Sequence, residues 1–426
     1  FGGVAGIYMP RVSGSVSFTH RDRGDRNAQR RLDPRTVLFH EYTHHFLANN
    51  FAFGAPLWFS EGYPEFWSTT DFLEDGSVRF GLPGTHRSLE LTELPRIRVD
   101  QLLTMRHPIA DRETIAAIYG RGWVLSHYLS FEPSRAGQLD SYLRALGEGR
   151  SAEEAARAFG DLAELNRNVE QYMRRNRFSI GTLSAAQVPP GPIQIRNLRE
   201  GEEAIMQVRM RSKRGVNDRQ ARALVPEGRR IGQRFPNDPL VQVILAEVEY
   251  DAGNFAEAGA AADRALAADP NLVDAHLFKA RSLWGPLTAA NERSAERWRA
   301  VRQWISSANR IDPDDPEPLV AFFESMVESG QRPSANAVEG LIYAQTLARE
   351  DRSLRITAAR QLLIQRQAAP ARALLAPLAS DSHSGSLGVK MAEILALLEA
   401  GDSAGALTKI DEALAEQRQR PRAGGS

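Results

Sequence analysis

The chain has 426 residues, of which 42% are hydrophobic and 25% charged, and Lys+Arg and Asp+Glu each total 53. This length exceeds a single hydrophobic core and predicts two or three domains, while the charge balance gives no electrostatic basis for nucleic-acid binding. The absence of cysteine excludes disulfides, thiol catalysis and cysteine-ligated zinc, and no apolar run approaches the roughly 18 residues of a membrane span.

The first thirty residues combine short apolar stretches, glycines and one charged run. Residues 6–10 and 15–19 are typical of strands, and residues 2–6 are typical of an edge strand that another backbone can approach closely. The run 21–31 carries charges of both signs and indicates a solvated loop. Because the chain begins with Phe1 and not Met, we expect a further segment upstream of it.

A helix predicted to begin at Asp33 and Pro34, an N-cap and a first-turn proline, carries a motif with a specific chemistry. His40, Glu41 and His44 form the pattern HExxH. Residues four apart on a helix lie one above the other, so both imidazoles can reach one point. Two ring nitrogens and an adjacent carboxylate predict a zinc ion and a base for its water. The alternative is a helix that carries two histidines by coincidence.

A second helix is predicted after Pro56, and it supplies a third candidate ligand. Trp58, Glu61 and Gly62 form the pattern W-x-x-E-G, with Glu61 among bulky apolar residues that anchor the helix to a core. HExxH on one helix followed by this pattern on the next resembles the gluzincins, a superfamily of zinc metallopeptidases.

The resemblance to the gluzincins implies a ligand set and a fold for the N-terminal part of the chain. Position by position, it makes His40, His44 and Glu61 the zinc ligands and Glu41 the general base. It also implies an α+β domain, a small sheet plus helices, over residues 1–177.

Two departures from the gluzincin pattern change what we expect. Pro64 stands where the second motif usually has a small residue, and it predicts a kink after Gly62. Aminopeptidases of the superfamily have a glycine-rich strand that ends in an acid for the substrate's amine, whereas no acid follows residues 2–6 here. The chain is therefore expected to be an endopeptidase and not an aminopeptidase.

Two further candidates lie in the window where gluzincins have a Tyr or His that stabilises the oxyanion. Tyr119 and His127 both fall in this window, and with Trp123 they recur every four residues along one face of a predicted helix. Tyr119 or His127 is therefore a candidate catalytic residue. The alternative is that all three side chains pack against one another.

The rest of the N-terminal domain is predicted to be mainly helical. Residues 71–100 are rich in Gly and Pro and indicate an irregular excursion of the kind that faces a substrate. Helices are predicted after it, the last one broken near Gly160, over residues 99–105, 112–131, 138–147 and 152–175. Residues 178–215 have little helical period and several prolines, so we interpret them as a linker.

Residues 216–426 contain an internal repeat that resembles the tetratricopeptide unit of 34 residues. Small residues and a proline occupy the expected positions in the clearest copy, Ala246, Gly253, Ala258, Ala265 and Pro270. Pro236 precedes Pro270 by one repeat length, and an insertion is predicted near residues 285–292. Small side chains let the helices of a hairpin approach closely, and stacked hairpins form a solenoid that binds peptides or proteins. The alternative is a generic alanine-rich helical bundle.

These patterns predict a mainly α protein, with a gluzincin-like α+β domain (1–177), a linker (178–215) and an α-solenoid of tetratricopeptide-like helical hairpins (216–426). The expected function is a Zn²⁺-dependent endopeptidase that hydrolyses a peptide or protein substrate, with the repeats binding the substrate or a protein partner. The alternative is a catalytically inactive metallopeptidase-like scaffold that acts through its repeats. Because relatives with this motif pair are often exported in bacteria, we expect a periplasmic location, with the cytoplasm as the alternative.

Overall fold

The computed structural model of the chain describes residues 6–19, 32–51, 53–87, 91, 96–105, 111–175, 177–380 and 385–419. The predicted strand residues 2–5 and the charged run 21–31 lie outside this set. Over the described residues the chain is mainly helical, with five short strands in two small sheets, which confirms the predicted fold class at this coarse level. No helix in the described part is long and apolar enough to cross a bilayer.

Two short strands and a long helix form the N-terminal layer. β1 (Gly6–Met9) and β2 (Val16–Thr19) pair antiparallel, and both pack on α1 (Pro34–Asn50). The Asp33 carboxylate accepts a hydrogen bond from the Arg35 amide, and a proline occupies the first turn, as the sequence predicts. This cap determines where the HExxH helix begins and hence which residues lie on each of its faces.

The elements that follow, up to residue 183, are helices of different lengths and a three-stranded antiparallel sheet in the order β3–β4–β5. They are α2 (Leu57–Ser68), β3 (Asp71–Phe72), β4 (Val78–Phe80), α3 (Val99–Thr104), α4 (Arg112–Phe131), α5 (Gln138–Gly147), α6 (Ala152–Ala155), α7 (Leu162–Met173) and β5 (Gly181–Leu183). The β3–β4 hairpin falls in the segment that the sequence predicts to be irregular. A strand about a hundred residues further along the chain completes its sheet.

The core of this region is built around α2, which packs against both α1 and α4. Trp58, Phe59 and Phe66 on α2 are fully buried and anchor it to an aromatic and aliphatic core. The helix continues through Pro64 to its end at Ser68, so the proline does not terminate it. Because α2 is held on two sides, the direction of its remaining side chains is well determined.

α2 and α4 cross at a pair of glycines. A Cβ atom added to Gly62 would lie 2.2 Å from the carbonyl carbon of Gly122, far inside van der Waals contact. The two backbones can therefore approach this closely only because neither residue has a side chain. The glycine of the W-x-x-E-G pattern thus has a packing function, which holds the adjacent Glu61 at a defined depth.

We expect Gly62→Ala to lower the free energy of unfolding by about 3 kcal/mol, because the added methyl group collides with backbone that cannot rotate away. Gly228→Ala is the matched control, since its Cβ would lie at an ordinary 3.4 Å from Leu245 Cδ1 inside another helix. That substitution is expected to stabilise by about 0.5 kcal/mol. Urea unfolding measures both, and unchanged stability of Gly62→Ala would contradict the close crossing.

The second half of the described chain consists of helices joined by short connections. They are α8 (Glu200–Lys213), α9 (Asp218–Arg234), α10 (Pro239–Asp251), α11 (Phe255–Ala268), α12 (Val273–Ala289), α13 (Ala295–Ile311), α14 (Pro316–Glu328), α15 (Ala335–Leu347), α16 (Arg352–Ile364), α17 (Ala368–Ser380), α18 (Ser386–Glu399) and α19 (Ser403–Gln419). Each helix packs against the next one along the chain, so the unit of structure is the helical hairpin.

The spacing of these hairpins agrees with the repeat seen in the sequence. α12 begins 34 residues after α10, and the small residues Ala246, Ala258 and Ala265 are fully buried where helices meet. α12 has 17 residues where α10 has 13, so the predicted insertion lengthens a helix by one turn. The first helices of successive hairpins, α10, α12 and α14, also contact one another and form one continuous face of the array.

One segment that the sequence analysis interprets as linker is helical. Residues 200–213 form α8, which packs against α9 and α10 and buries Ile205 and Val208. The Glu202 carboxylate accepts a hydrogen bond from the Arg199 amide at the start of this helix. This helix was not predicted from the sequence, because the mixed charge of the segment hides its small apolar face of Ile205 and Val208.

The carboxyl end of α1 contacts the helical array. Arg355, which is buried, donates from Nη2 to the carbonyl of Ala48 (3.3 Å), and Arg349 donates to the carbonyl of Asn49 (3.5 Å). Cations near the last carbonyls of a helix are favourable because those carbonyls lack partners within the helix and carry partial negative charge. The helix that carries HExxH is therefore capped by side chains from about 300 residues away.

Candidate metal centre

α1 presents the two histidines of HExxH to the same point. His40 Nε2 and His44 Nε2 lie 3.0 Å apart, and each side chain is only 12% exposed. This geometry follows from the helical spacing of four residues, with both rings leaning toward α2. Both rings are thus largely shielded from solvent.

α2 brings the carboxylate of Glu61 to the two imidazoles. Its Oε2 atom lies 3.7 Å from His40 Nε2 and 3.8 Å from His44 Nε2, and the side chain is 1% exposed. One donor atom from each of the three residues lies within 4.8 Å of the other two. The structure therefore brings together all three residues predicted to be metal ligands.

The donor set fits a zinc ion. Two imidazole nitrogens and one carboxylate oxygen are the ligand types of many catalytic zinc sites, which leave a fourth position open. Tetrahedral ligands about 2.0–2.1 Å from zinc are separated from one another by roughly 3.3 Å. The separations of 3.0, 3.7 and 3.8 Å lie on either side of that value, so small side-chain adjustments bring the three atoms to ligand distance.

Glu65, one turn after Glu61, organises the outer side of this cluster. Its Oε1 atom lies 3.1 Å from His40 Nδ1 and 2.5 Å from Arg87 Nη2, and its Oε2 atom lies 3.0 Å from His86 Nε2. Burial raises the pKa of Glu65, but Arg87 and His40 outweigh it and hold the pKa well below its ordinary value. Glu65 is thus an anion that contacts Nδ1 of the His40 ring, while Nε2 of the same ring faces His44 and Glu61.

The cluster favours positive charge at His40. Burial lowers the pKa of this imidazole, but Glu65 and Glu61 together raise it to about 10. Two buried carboxylates beside one ring stabilise either a proton or a bound cation at that place. The two carboxylates therefore favour positive charge at this place.

Glu41 lies beside the cluster, in a cavity of about 460 Å³ that His44 also lines. β1 passes directly over it, since a Cβ atom on Gly6 would lie 3.1 Å from Glu41 Oε1 and 2.2 Å from Val37 Cγ1. Glycine at this position therefore permits the strand to lie against α1. The far side of the cavity is formed by residues of the array, including Arg352.

Tyr119 lies next to the predicted ligands. Its ring is stacked on that of His40, with centroids 5.9 Å apart and an angle of 11°, and the Arg87 guanidinium lies 4.7 Å from its centroid. Burial raises the pKa of the phenol, and the charge of Glu61, its hydrogen-bond partner, raises it further. The hydroxyl is therefore a protonated donor at neutral pH.

His127 lies elsewhere, in the aromatic core. Its ring is fully buried, with Nε2 3.0 Å from the Gly81 carbonyl oxygen and Nδ1 2.7 Å from the Tyr172 hydroxyl. Phe66 and Phe131 pack against it. Both of its nitrogens are engaged in the core, so the structure does not group it with the predicted metal ligands.

The burial of His127 predicts a pH dependence of stability. Burial lowers its pKa to about 4, against 6.5 for an ordinary histidine, so the unfolded chain takes up a proton first as the pH falls. We expect stability to be complete above pH 6.5 and to fall between pH 6.5 and 4, by up to about 3 kcal/mol at 1.4 kcal/mol per pKa unit. Thermal unfolding across this range should show a smaller slope for His127→Gln, and identical slopes would contradict the assignment.

Two residues of the site, His86 and Arg87, were not identified from the sequence as part of it. Glu65 lies one turn after Glu61, and this spacing predicts an acid beside the ligands or at the surface and not a further ligand. His86 and Arg87 come from the short 3₁₀ helix Thr85–Arg87 within the segment predicted to be irregular, and no spacing rule connects them to HExxH. The tertiary fold brings His86 and Arg87 to Glu65.

No protein-family model matches the chain, and neither does any curated protein. A solved structure that resembles part of it is that of a thermophilic tetratricopeptide-repeat protein in Thermus thermophilus, with a TM-score of 0.38 and 17% sequence identity. The similarity covers 45% of this chain and 97% of the other. At this level of similarity, the assignment of function depends on the chain's own residues.

Proposed function

We propose that the chain is a zinc-dependent endopeptidase whose helical array binds a peptide or protein. The proposal is supported by the convergence of His40 Nε2, His44 Nε2 and Glu61 Oε2 on one buried point, with Glu41 beside it. A zinc ion held by these atoms would supply a Lewis acid for the scissile carbonyl and a water of lowered pKa. The gluzincin resemblance of the two motifs implies the same chemistry.

Glu41 is the proposed general base. Its place in the cavity next to His44 lets its carboxylate take a proton from the attacking water and return that proton to the leaving nitrogen. Its carboxylate lies under β1 and lines that cavity. Proton transfer is therefore assigned to Glu41, which is not one of the three proposed ligands.

Tyr119 is the proposed oxyanion donor. Its hydroxyl remains protonated because burial and Glu61 raise its pKa, and stacking on His40 holds the ring at the edge of the cluster. A neutral O–H group aimed at developing negative charge stabilises the transition state more than the ground state. His127 is not assigned this role, since its two nitrogens bond to Gly81 and Tyr172.

β1 is the proposed surface for the substrate backbone. Among the described residues β1 pairs with β2 alone, so its second edge has no strand partner in that part of the chain. An extended peptide added there would lie over Glu41, with its backbone hydrogen-bonded to the strand. This placement suits internal peptide bonds, and no acid follows the glycine-rich segment to hold a free amine.

The test of this function combines metal analysis with a cleavage assay. We expect about one zinc per purified chain and hydrolysis of a peptide library or of an unfolded protein. Treatment with 1,10-phenanthroline should abolish cleavage, and addition of one equivalent of zinc should restore it. A chain that binds no zinc under these conditions, or whose cleavage is insensitive to zinc removal, would refute the proposal.

An interaction scaffold with an inactive metal domain is the second candidate function. The helical hairpins from Glu200 to Gln419 favour it, because such arrays bury a core only by stacking and present a long surface to other proteins. For a scaffold, zinc loading would be complete while wild type and Glu41→Gln were equally devoid of cleavage. For an enzyme, wild type would cleave the substrate and only Glu41→Gln would not.

A further inference from the structure

The turn that joins β1 and β2 lies against the helical array. A cavity of about 460 Å³ is lined by Met9, Arg11 and Ser13 on one side and by residues of α8, α10, α12 and α14 on the other. Three of these helices are the first helices of successive hairpins, which form one continuous face. We call the array side of this cavity the array groove.

The array groove has an excess of negative charge. Its charged residues are four acids and two bases, Glu247, Asp251, Asp274, Glu317, Lys213 and Arg281. Lys213 pairs with Glu247 at 3.1 Å, and Arg281 pairs with Glu317, so both bases already have acidic partners. Half-buried carboxylates in such number favour a further cation from outside the groove.

Arg11, at the start of the turn, is the cation that lines the opposite side of this cavity. Burial lowers the pKa of its guanidinium, and the charges of Glu247 and Asp251 oppose that effect, so the two acids stabilise the positive charge of Arg11 against the cost of burial. Gly14 has a φ of 93°, in the left-handed region that favours glycine, and its amide bonds to the Arg11 carbonyl at 3.2 Å, which closes the turn. Backbone and side chain of this short turn thus present one arginine to the acids.

The residues after Arg11 make equally specific contacts with the array. The Val12 amide donates to Asp351 Oδ2 at 2.8 Å, while the other oxygen of the same carboxylate caps α16 through the Leu354 amide, also at 2.8 Å. The Ser15 hydroxyl donates to Glu350 Oε1 at 2.9 Å. One carboxylate therefore serves both a helix end and the turn.

The side chain of Val12 supplies the apolar part of the contact. It packs against a cluster of buried residues from α14, α15 and α16 that includes Phe323 and Leu341. Ser13 and Gly14 remain exposed, and the cavity beside the turn retains its volume. The turn is thus held by one cation, one apolar side chain and a few hydrogen bonds, and it does not fill the groove. Such contacts are typical of peptide recognition and not of a domain core, which is closely packed.

We propose that the array groove is a recognition surface for an extended segment with an arginine followed by a small apolar residue, and that this chain's own turn, residues 10–15, is its resident ligand. A partner protein that carries such a segment binds by displacing the turn. Displacement also frees β1, which lies over Glu41, so partner binding and the geometry of the metal centre are coupled. The binding step itself does not depend on the proposed zinc chemistry.

The test uses the full chain and a labelled peptide, Pro-Arg-Val-Ser-Gly-Ser, copied from residues 10–15. In wild type the tethered turn competes at a millimolar effective concentration, whereas Arg11→Glu weakens the turn and opens the groove. We expect the variant to bind the peptide at least about tenfold more tightly than wild type, as measured by fluorescence anisotropy. The control peptide, with glutamate in place of arginine, should not bind.

Two further measurements make the result decisive. Adding Glu247→Gln and Asp251→Asn to the Arg11→Glu chain should remove peptide binding, because both substitutions take negative charge out of the groove. If Arg11→Glu does not fold, Arg11→Ala is the milder replacement. Hydrogen exchange of wild type with excess peptide should increase over residues 6–19. Equal binding of both peptides, or no binding by any folded variant, would show that the turn is a fixed interdomain contact and overturn the proposal.

Discussion

Glu41→Gln is expected to retain about one zinc per chain while its rate of peptide hydrolysis falls about a thousandfold, the middle of the range for loss of a general base. Glu41 is not among the three converging donor atoms, so its substitution leaves them in place. Glutamine is isosteric but does not accept the water's proton. Mass spectrometry of the metal and initial rates on a peptide substrate measure both quantities on one sample.

The matched control for this experiment is Glu339→Gln, an exposed glutamate on α15 that lies in the array. It should change neither zinc content nor rate. Hydrolysis by Glu41→Gln at the wild-type rate would remove Glu41 from the mechanism. Loss of zinc together with activity would instead show that Glu41 helps to hold the metal.

Substitutions of Glu61 and Glu65, two glutamates on α2, are expected to have different effects on zinc binding. Glu61→Gln is expected to abolish stable zinc binding, because the amide removes the charge of a ligand that is 1% exposed. Glu65→Gln should weaken zinc binding only about 10- to 100-fold, since Glu65 acts through the His40 ring. Competition with a chromogenic chelator gives both affinities.

The two substitutions also differ in their effect on folding. Glu65→Gln leaves Arg87 without its carboxylate, so this variant should be less stable than wild type by about 2 kcal/mol in the absence of metal. Thermal unfolding of both variants without metal is the control, because it shows whether each variant is folded when its zinc affinity is measured. Equal zinc affinities for the two variants would contradict the assignment of Glu61 as ligand and Glu65 as its neighbour.

The grouping of His40, His44 and Glu61 was predictable because most of it is local. The distance between His40 and His44 follows from four residues of helix, and the cap at Asp33 determines where that helix starts. Glu61 required a resemblance to known motifs, because its approach depends on how α2 packs on α1. Gly62, which the motif contains, permits the close packing of α2 on α4 at its other side.

The choice between Tyr119 and His127 shows what periodicity alone leaves open. Both residues lie on one face of α4, as the sequence predicts, but eight residues of α-helix span about 12 Å. The two side chains therefore face different surroundings, the His40 ring for Tyr119 and the aromatic core for His127. The distance of about 12 Å along the helix can be calculated from the sequence alone, and it indicates that Tyr119 and His127 do not both belong to one site.

The helices with clear caps, the pair of imidazoles and the 34-residue spacing of the hairpins could all be predicted from the amino-acid sequence. These properties depend on residues close together in the chain, where capping, helical periodicity and repeat length act. Three contacts could be seen only in the folded chain: Arg87 faces Glu65, Arg355 caps α1, and the Val12 amide bonds to Asp351. The last contact joins residues 339 positions apart. Such contacts arise from the packing of whole elements, and no local pattern of side chains encodes which distant surface they meet.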